Sequence, residues 1–235
     1  MKILAFIPAR SGSQGIRNKN MVLLNKKPLI YYTINIVKKI RNNVFPFVST
    51  DSKRILRYCE KFGFKNKYLR PKSLSKSNSD LSNAIIHGIN WLKKNYNLKF
   101  DAVLLLQPTT PIREVKKLKL FINQFKRKKL KSLISVTPIK EHPYECIKFY
   151  KNKWSYLVKN PKKINRRQAY NKKFYFIDGS YFIAKIDFLK KYKSFVNKKY
   201  TKIFVQKRDW PIDIDHPEDL LVASTFLKKV THVKK

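Results

Sequence analysis

Glycine is scarce in this chain, five in 235 residues, and acid is scarce beside base, with 14 Asp and Glu against 54 Lys and Arg and a formal net charge of +40. Cysteine is limited to Cys59 and Cys146, which lie far apart and in no metal-like spacing. That excludes a disulfide framework and a zinc knuckle, and points to two small buried hydrophobes in a reducing, cytoplasmic setting. No apolar run approaches the roughly 20 residues that span a bilayer. The apolar start Ile3–Ile7 is broken by Pro8, too early for a secretory signal. No internal repeat and no Pro/Ser/Gly linker divides the chain, so residues 1–235 are expected to form a single domain.

What is present is a globule. The hydrophobic fraction is 43% and the aromatic fraction 14%, enough to bury a core. The positive charge raises the question of nucleic acid. Lysine is spread along the chain, however, with short runs such as Lys126-Arg127-Lys128-Lys129, and no zinc-finger spacing or RNP-type aromatic box accompanies it. No membrane partner and no specific nucleic-acid partner is therefore expected. The charge still attracts anionic substrates.

The first half alternates strand and helix. Ile3–Ile7 reads as a buried strand, Pro28 to Ile40 as a helix, and Phe45–Ser49 as a strand. Ser52 caps a helix closed by Gly63, and Asn83 to Lys94 forms another. Ala102–Leu106 and Leu133–Val136 read as strands around a helix over Val115–Phe125. Short apolar strands separated by helical periods predict an α/β fold with a mostly parallel sheet covered on both faces. Beyond Pro138 the character changes. Cys146–Tyr150 and Trp154–Val158 predict a hairpin, and about 139–175 reads as an insertion suited to dimerisation. Phe174–Phe176, Ser180–Ala184 and Ile203–Gln206 read as further strands, with helices over Ile186–Tyr192 and Pro217–Lys228.

The scarce residues cluster. Gly12 and Gly15 fall in Pro8-Ala9-Arg10-Ser11-Gly12-Ser13-Gln14-Gly15-Ile16-Arg17-Asn18-Lys19-Asn20, directly after the first strand. This is not a P-loop, nor the G-x-G-x-x-G of dinucleotide sites. Small residues with exposed amides beside Arg10, Arg17 and Lys19 nonetheless suit a polyphosphate. Five of the 14 acids (Asp209, Asp213, Asp215, Glu218, Asp219) fall between positions 209 and 219. In an extended stretch Asp213 and Asp215 share one side while Ile212 and Ile214 face the core. Two carboxylates side by side suit a Mg²⁺ ion that also takes phosphate oxygens. Helix capping is the competing reading, and it suits Glu218 and Asp219. Asp51, at the end of the second strand, either orients a ligand or shapes a turn. In open α/β sheets ligands bind beyond the carboxyl ends of the strands, where these segments and Gln107–Arg113 are expected to meet.

Taken together, these boxes resemble the acylneuraminate cytidylyltransferases, the CMP-sialic acid synthetases. Ile7–Ile16 with Lys19-Asn20 is similar to I-P-A-R-x-G-S-K-G-I-x-x-K-N, and Ser49-Thr50-Asp51-Ser52 to S-T-D-S. Arg70-Pro71, Leu105–Arg113, Arg166-Arg167-Gln168 and Ile212–Asp215 with Pro217–Leu220 resemble the later boxes, in family order and over nearly the whole chain. The resemblance implies a nucleotide-diphospho-sugar transferase fold and a homodimer with a small dimerisation arm. It implies transfer of CMP from CTP to the anomeric hydroxyl of a 2-keto-3-deoxy sugar acid, a nonulosonic acid such as sialic, legionaminic or pseudaminic acid, with release of pyrophosphate.

Carried over box by box, the resemblance places Arg10 and Lys19 on the triphosphate. Gly12, Ser13, Gln14, Asn20 and Arg70 fall around the nucleotide, Gln107 and Arg167 at the sugar acid, and Asp213 and Asp215 at Mg²⁺. Arg10, Lys19 and Asp215 form the catalytic set, and the sequence leaves open whether Asp215 itself takes the proton. The family's lysine before the second loop glycine is Gln14 here, for which Arg17 is a substitute cation. Asp178-Gly179 replaces its Asn-Gly, and its S-D-T-A-S stretch has no clear counterpart in Ser75–Ser82. Three rivals remain at this stage: the same fold with another nucleotide or a Kdo-type acid, an inactive relative, and a basic nucleic-acid-binding protein without turnover.

Overall fold

The computed structural model describes residues 1–13, 15–158, 173–206 and 212–232. Its centre is a six-stranded sheet of β1 (Ile3–Pro8), β4 (Phe45–Ser49), β5 (Ala102–Leu105), β6 (Ser132–Pro138), β9 (Tyr175–Lys185) and β10 (Thr201–Val205). The spatial order is β10-β6-β9-β5-β1-β4. Five strands run the same way, and β9 alone is antiparallel, inserted between β5 and β6. Two small hairpins stand apart from it, β2 (Leu23–Leu24) with β3 (Lys27–Pro28), and β7 (Ile147–Tyr150) with β8 (Lys153–Tyr156).

Helices cover both faces, as the apolar strands require. Along β1, Ile3, Ala5 and Ile7 pack against α1 (Leu29–Lys38), α2 (Lys53–Glu60) and α4 (Val115–Arg127). Leu4 and Phe6 point the other way, toward α3 (Leu81–Tyr96) and α5 (Ile186–Tyr192). Every described residue from Ile3 to Ile7 is buried, which explains why the strand reads as an unbroken apolar run. Cys59 is fully buried in this core, and burial pushes its thiol pKa up to about 12. No helix among the described residues is long and apolar enough to cross a membrane.

The helices agree with the sequence reading to within a few residues. Ser52 caps α2 by accepting from the Ile55 amide, and Gly63 takes φ +83° past its end. The expected strands Phe174–Phe176 and Ser180–Ala184 are instead one strand, β9. Its pairing with β6 jumps from Ile134↔Phe182 to Val136↔Ile177, so Asp178–Tyr181 bulge opposite Ser135. Gly179, at φ +68°, makes that bulge possible, a kink within one strand.

Candidate active site

The carboxyl ends of β1 and β5 open onto a cleft of about 660 Å³. The first loop enters it from β1. Asn18 takes the left-handed conformation (φ 53°) and turns the chain into a 3₁₀ turn, Lys19–Met21, which buries both Lys19 and Asn20. The Asn20 amide nitrogen donates to the Arg10 carbonyl at 2.9 Å, drawing the two ends of the loop together. Arg10, Ser13, Gly15, Lys19 and Asn20 all line the cleft.

The late acidic segment closes the opposite side. Ile212 and Ile214 are buried while Asp213 and Asp215 are exposed, the alternation expected of an extended stretch. Ile212 and Ile214 share a small apolar cluster with Ile16 of the first loop and Ala223 of α6 (Pro217–His232). The Ile214 amide donates to the Thr109 carbonyl at 2.8 Å, tying in the loop after β5. Lys19 Nζ donates to the Ile214 carbonyl and to Asp215 Oδ1, each at 2.8 Å. A Cβ placed on Gly15 would lie 2.3 Å from the Asp215 carbonyl oxygen, so glycine is required there by close approach. Gly12 has open space around it and is not on the cleft wall.

The β9 bulge brings a third group of residues to the cleft. Asp178 is buried and accepts from Ser135 Oγ on β6, the Ser180 amide (2.9 Å) on its own strand and Nε2 of Gln206 (2.6 Å), just past β10. Over it, a Cβ on Gly179 would lie 3.5 Å from Asp213 Oδ2 and 3.8 Å from Gln107 Oε1. Arg113 is a clamp: its guanidinium donates to the carbonyls of Gln107 (2.7 Å) and Ser180 (2.9 Å) and to Thr33 Oγ1 (3.1 Å). Gln107 is thereby presented to the cleft by a residue that does not itself line it.

Asp213 faces the cleft, yet its carboxyl pKa is raised. Desolvation among the cleft walls is the main cause, and Asp215 beside it adds repulsion. A Thr109 hydrogen bond, Lys19 and Arg113 act the other way. A cation between the two carboxylates would relieve that repulsion. Among the described residues no group of three or more metal-binding side chains occurs. A carboxylate pair open to a roomy cleft fits an ion that completes its shell with phosphate oxygens and water. Asp219 meanwhile accepts from the Asp215 and His216 amides (2.9 and 2.8 Å), the reciprocal half of a helix cap, as the capping reading of that residue requires.

Arg70 lines the cleft while nearly buried, its guanidinium donating to the Ser49 carbonyl at 3.1 Å. Arg17 is exposed and is not on the cleft wall. Lys76 and His216 do line it, and sequence reasoning missed both. Lys76 lies in Ser75–Ser82, a stretch without a legible motif, and His216 had no nucleophile nearby in sequence to single it out. Gln14, Arg166, Arg167 and Gln168 fall outside the described residues.

A mostly parallel sheet with cations and a carboxylate pair on one cleft suits a nucleotide-binding transferase. Residues 4–229 match the cytidylyltransferase family, and the chain belongs to it. It is similar to the CMP-N,N'-diacetyllegionaminic acid synthase of Legionella pneumophila, at 33% identity over 97% of both chains. It is also similar to the pseudaminic acid cytidylyltransferase of Campylobacter jejuni, at 30% identity over 99% of this chain and 98% of that one. In fold it is similar to a CMP:2-keto-3-deoxy-manno-octonic acid synthetase solved with CTP, with a TM-score of 0.68 at 15% identity, covering 97% of this chain and 99% of the other. The chain is a CTP-dependent nucleotidyltransferase of α/β fold, as its sequence boxes imply.

Proposed function

We propose that this enzyme transfers CMP from CTP to the anomeric hydroxyl of a nonulosonic acid of the legionaminic, pseudaminic or sialic type. The observation that carries this reading is the meeting of Arg10, Lys19, Asp213 and Asp215 on one cleft, in a chain similar over nearly its whole length to synthases of such CMP-sugars. The hydroxyl oxygen attacks the α-phosphorus, the bond to the β-phosphoryl oxygen breaks, and pyrophosphate leaves. Arg10 and Lys19 hold the charge that collects on the leaving group. Asp213 and Asp215 are the only carboxylates on the described cleft wall, so the hydroxyl proton departs through that pair, with Asp215 as the base. Gln107, held from behind by Arg113, orients the sugar acid with Arg167. Arg70 and Asn20 fix the nucleoside.

Mg²⁺ is proposed at Asp213 and Asp215, where it would supply Lewis-acid neutralisation of the triphosphate. A homodimer is proposed through the β7–β8 hairpin, on which Phe149, Tyr150 and Trp154 are 69%, 73% and 59% exposed. The cytoplasm, where CTP is held, is the proposed location.

Pyrophosphate release across a panel of nucleotides and of sialic, legionaminic, pseudaminic and Kdo-type acids, with and without Mg²⁺, tests the reading. Release is expected with CTP, Mg²⁺ and one or more of the nine-carbon acids. Turnover with the Kdo-type acid alone, or with another nucleotide in preference to CTP, would overturn it.

A further inference from the structure

The stretch Ser49–Ser52 after β4 is the point where two separate walls of the cleft are joined. The Ser49 carbonyl accepts from the Ala9 amide (2.8 Å) at the start of the first loop and from the Arg70 guanidinium (3.1 Å). The Thr50 carbonyl accepts from the Arg70 amide at 2.7 Å. The Asp51 carboxylate grips the first loop: Oδ1 accepts from the Ser11 amide and Oδ2 from the Ser11 hydroxyl, both at 2.7 Å and across 40 residues of sequence. Asp51 is half-buried and is not on the cleft wall.

Arg10 is next to Ser11, so this bidentate grip fixes the backbone from which Arg10 projects. The grip is also electrostatic. Burial lowers the Arg70 pKa, while Asp51 and Tyr68 raise it and Arg10 lowers it further, so the Arg70 guanidinium feels both the Asp51 carboxylate and the Arg10 cation. Two guanidiniums aimed at one ligand repel each other when the ligand is absent. A carboxylate acting on Arg70 offsets that repulsion before an anion arrives. Preorganisation of this kind shows in affinity for the anionic ligand rather than in folding.

We infer that Asp51 is a positioning residue for CTP, holding Arg10 through Ser11 and offsetting with its charge the repulsion that Arg70 meets from Arg10. This rests on the CTP-transfer reading of the same cleft. It differs from a turn-forming role, which would affect stability and both substrates alike, and from direct contact with ligand, which the location of Asp51 behind the wall does not support.

The test compares wild type with Asp51→Asn, Asp51→Ala and Ser11→Ala in the full-length chain. Three measurements are made: calorimetric CTP binding without sugar acid, KM and kcat for each substrate, and thermal midpoint. Asp51→Ala should raise the CTP Kd and KM about tenfold or more, with the sugar-acid KM within about twofold of wild type. Asp51→Asn keeps an acceptor for Ser11 and loses the charge, so it should fall between Asp51→Ala and wild type. Ser11→Ala combined with Asp51→Ala should be no worse than Asp51→Ala alone. Unchanged CTP affinity in Asp51→Asn and Ser11→Ala, both mild enough to fold, would overturn the inference. So would equal loss for both substrates together with a lowered midpoint. If wild type itself fails to bind CTP, the functional reading falls first and this inference with it. A wild type that turns over while the variants match it removes only the role of Asp51.

Discussion

Lys19 and Asp215 stand 196 residues apart in sequence and 2.8 Å apart in space. Among the described residues this is the one ion pair that joins the first loop to the late acidic segment. The ammonium is nearly buried and the carboxylate is open, with side-chain exposures of 10% and 65%. The pair is thus a hinge point between substrate-facing charge and the core beneath it.

Removing either partner has different consequences. Lys19→Ala leaves two open carboxylates without their nearest cation. Asp215→Ala leaves a buried ammonium with only the Ile214 carbonyl, at a cost of about 2 kcal/mol of stability. Asp215→Ala should therefore lower the thermal midpoint modestly, remain folded by circular dichroism, and lose about 100-fold or more in kcat. Near-normal turnover of that variant at saturating Mg²⁺ would remove Asp215 from both the metal and the catalytic assignments.

The two loop glycines make a matched control. At Gly15 an added methyl would meet the Asp215 carbonyl oxygen at 2.3 Å, which is backbone and cannot swing aside. Gly15→Ala should displace the acidic segment and cut kcat/KM about tenfold or more. Gly12 has nothing within 4 Å and no positive φ. Gly12→Ala should leave turnover near wild type and stability within about 0.5 kcal/mol. Equal effects at the two positions in parallel kinetic and melting measurements would contradict the packing described for Gly15.

Asp213 gives a pH signature. Its folded-state pKa is raised above the usual 3.8, so the native state binds its proton more tightly than the unfolded chain does. In metal-free buffer, stability is therefore lost as pH rises from 3.8 through the raised value, the reverse of a salt-bridged carboxylate. Asp213→Asn should abolish that decline and show a midpoint at neutral pH equal to or above wild type without metal. Mg²⁺ should stabilise wild type increasingly as pH rises through the same window, and Asp213→Asn far less. A midpoint for the variant well below wild type in chelator would show that ionised Asp213 is stabilising, against this account.

Much of the site was legible in sequence because it is made of unusual local composition. A chain with 14 acids that puts five of them in eleven positions, and two of its five glycines in one loop, announces both segments. Alternation at Ile212–Asp215 gave the facing of the carboxylates before any coordinates, since residues two apart share a side. Helices were equally readable from period and caps. The Ser75–Ser82 wall was not, because Lys76 is a single lysine among many and nothing local distinguishes it.

Sequence by itself determined the alternating α/β order, the burial of the central strands and the chemical character of the two charged segments, all properties set by neighbours a few residues apart. Only the tertiary structure decided that Lys19 is bound to Asp215, that Gly15 rather than Gly12 is sterically required, and that Asp178–Tyr181 bulge inside one antiparallel strand. Those facts depend on contacts across 40 to 200 residues, and local propensity carries no information about which distant backbone atom will occupy the space beside a given side chain.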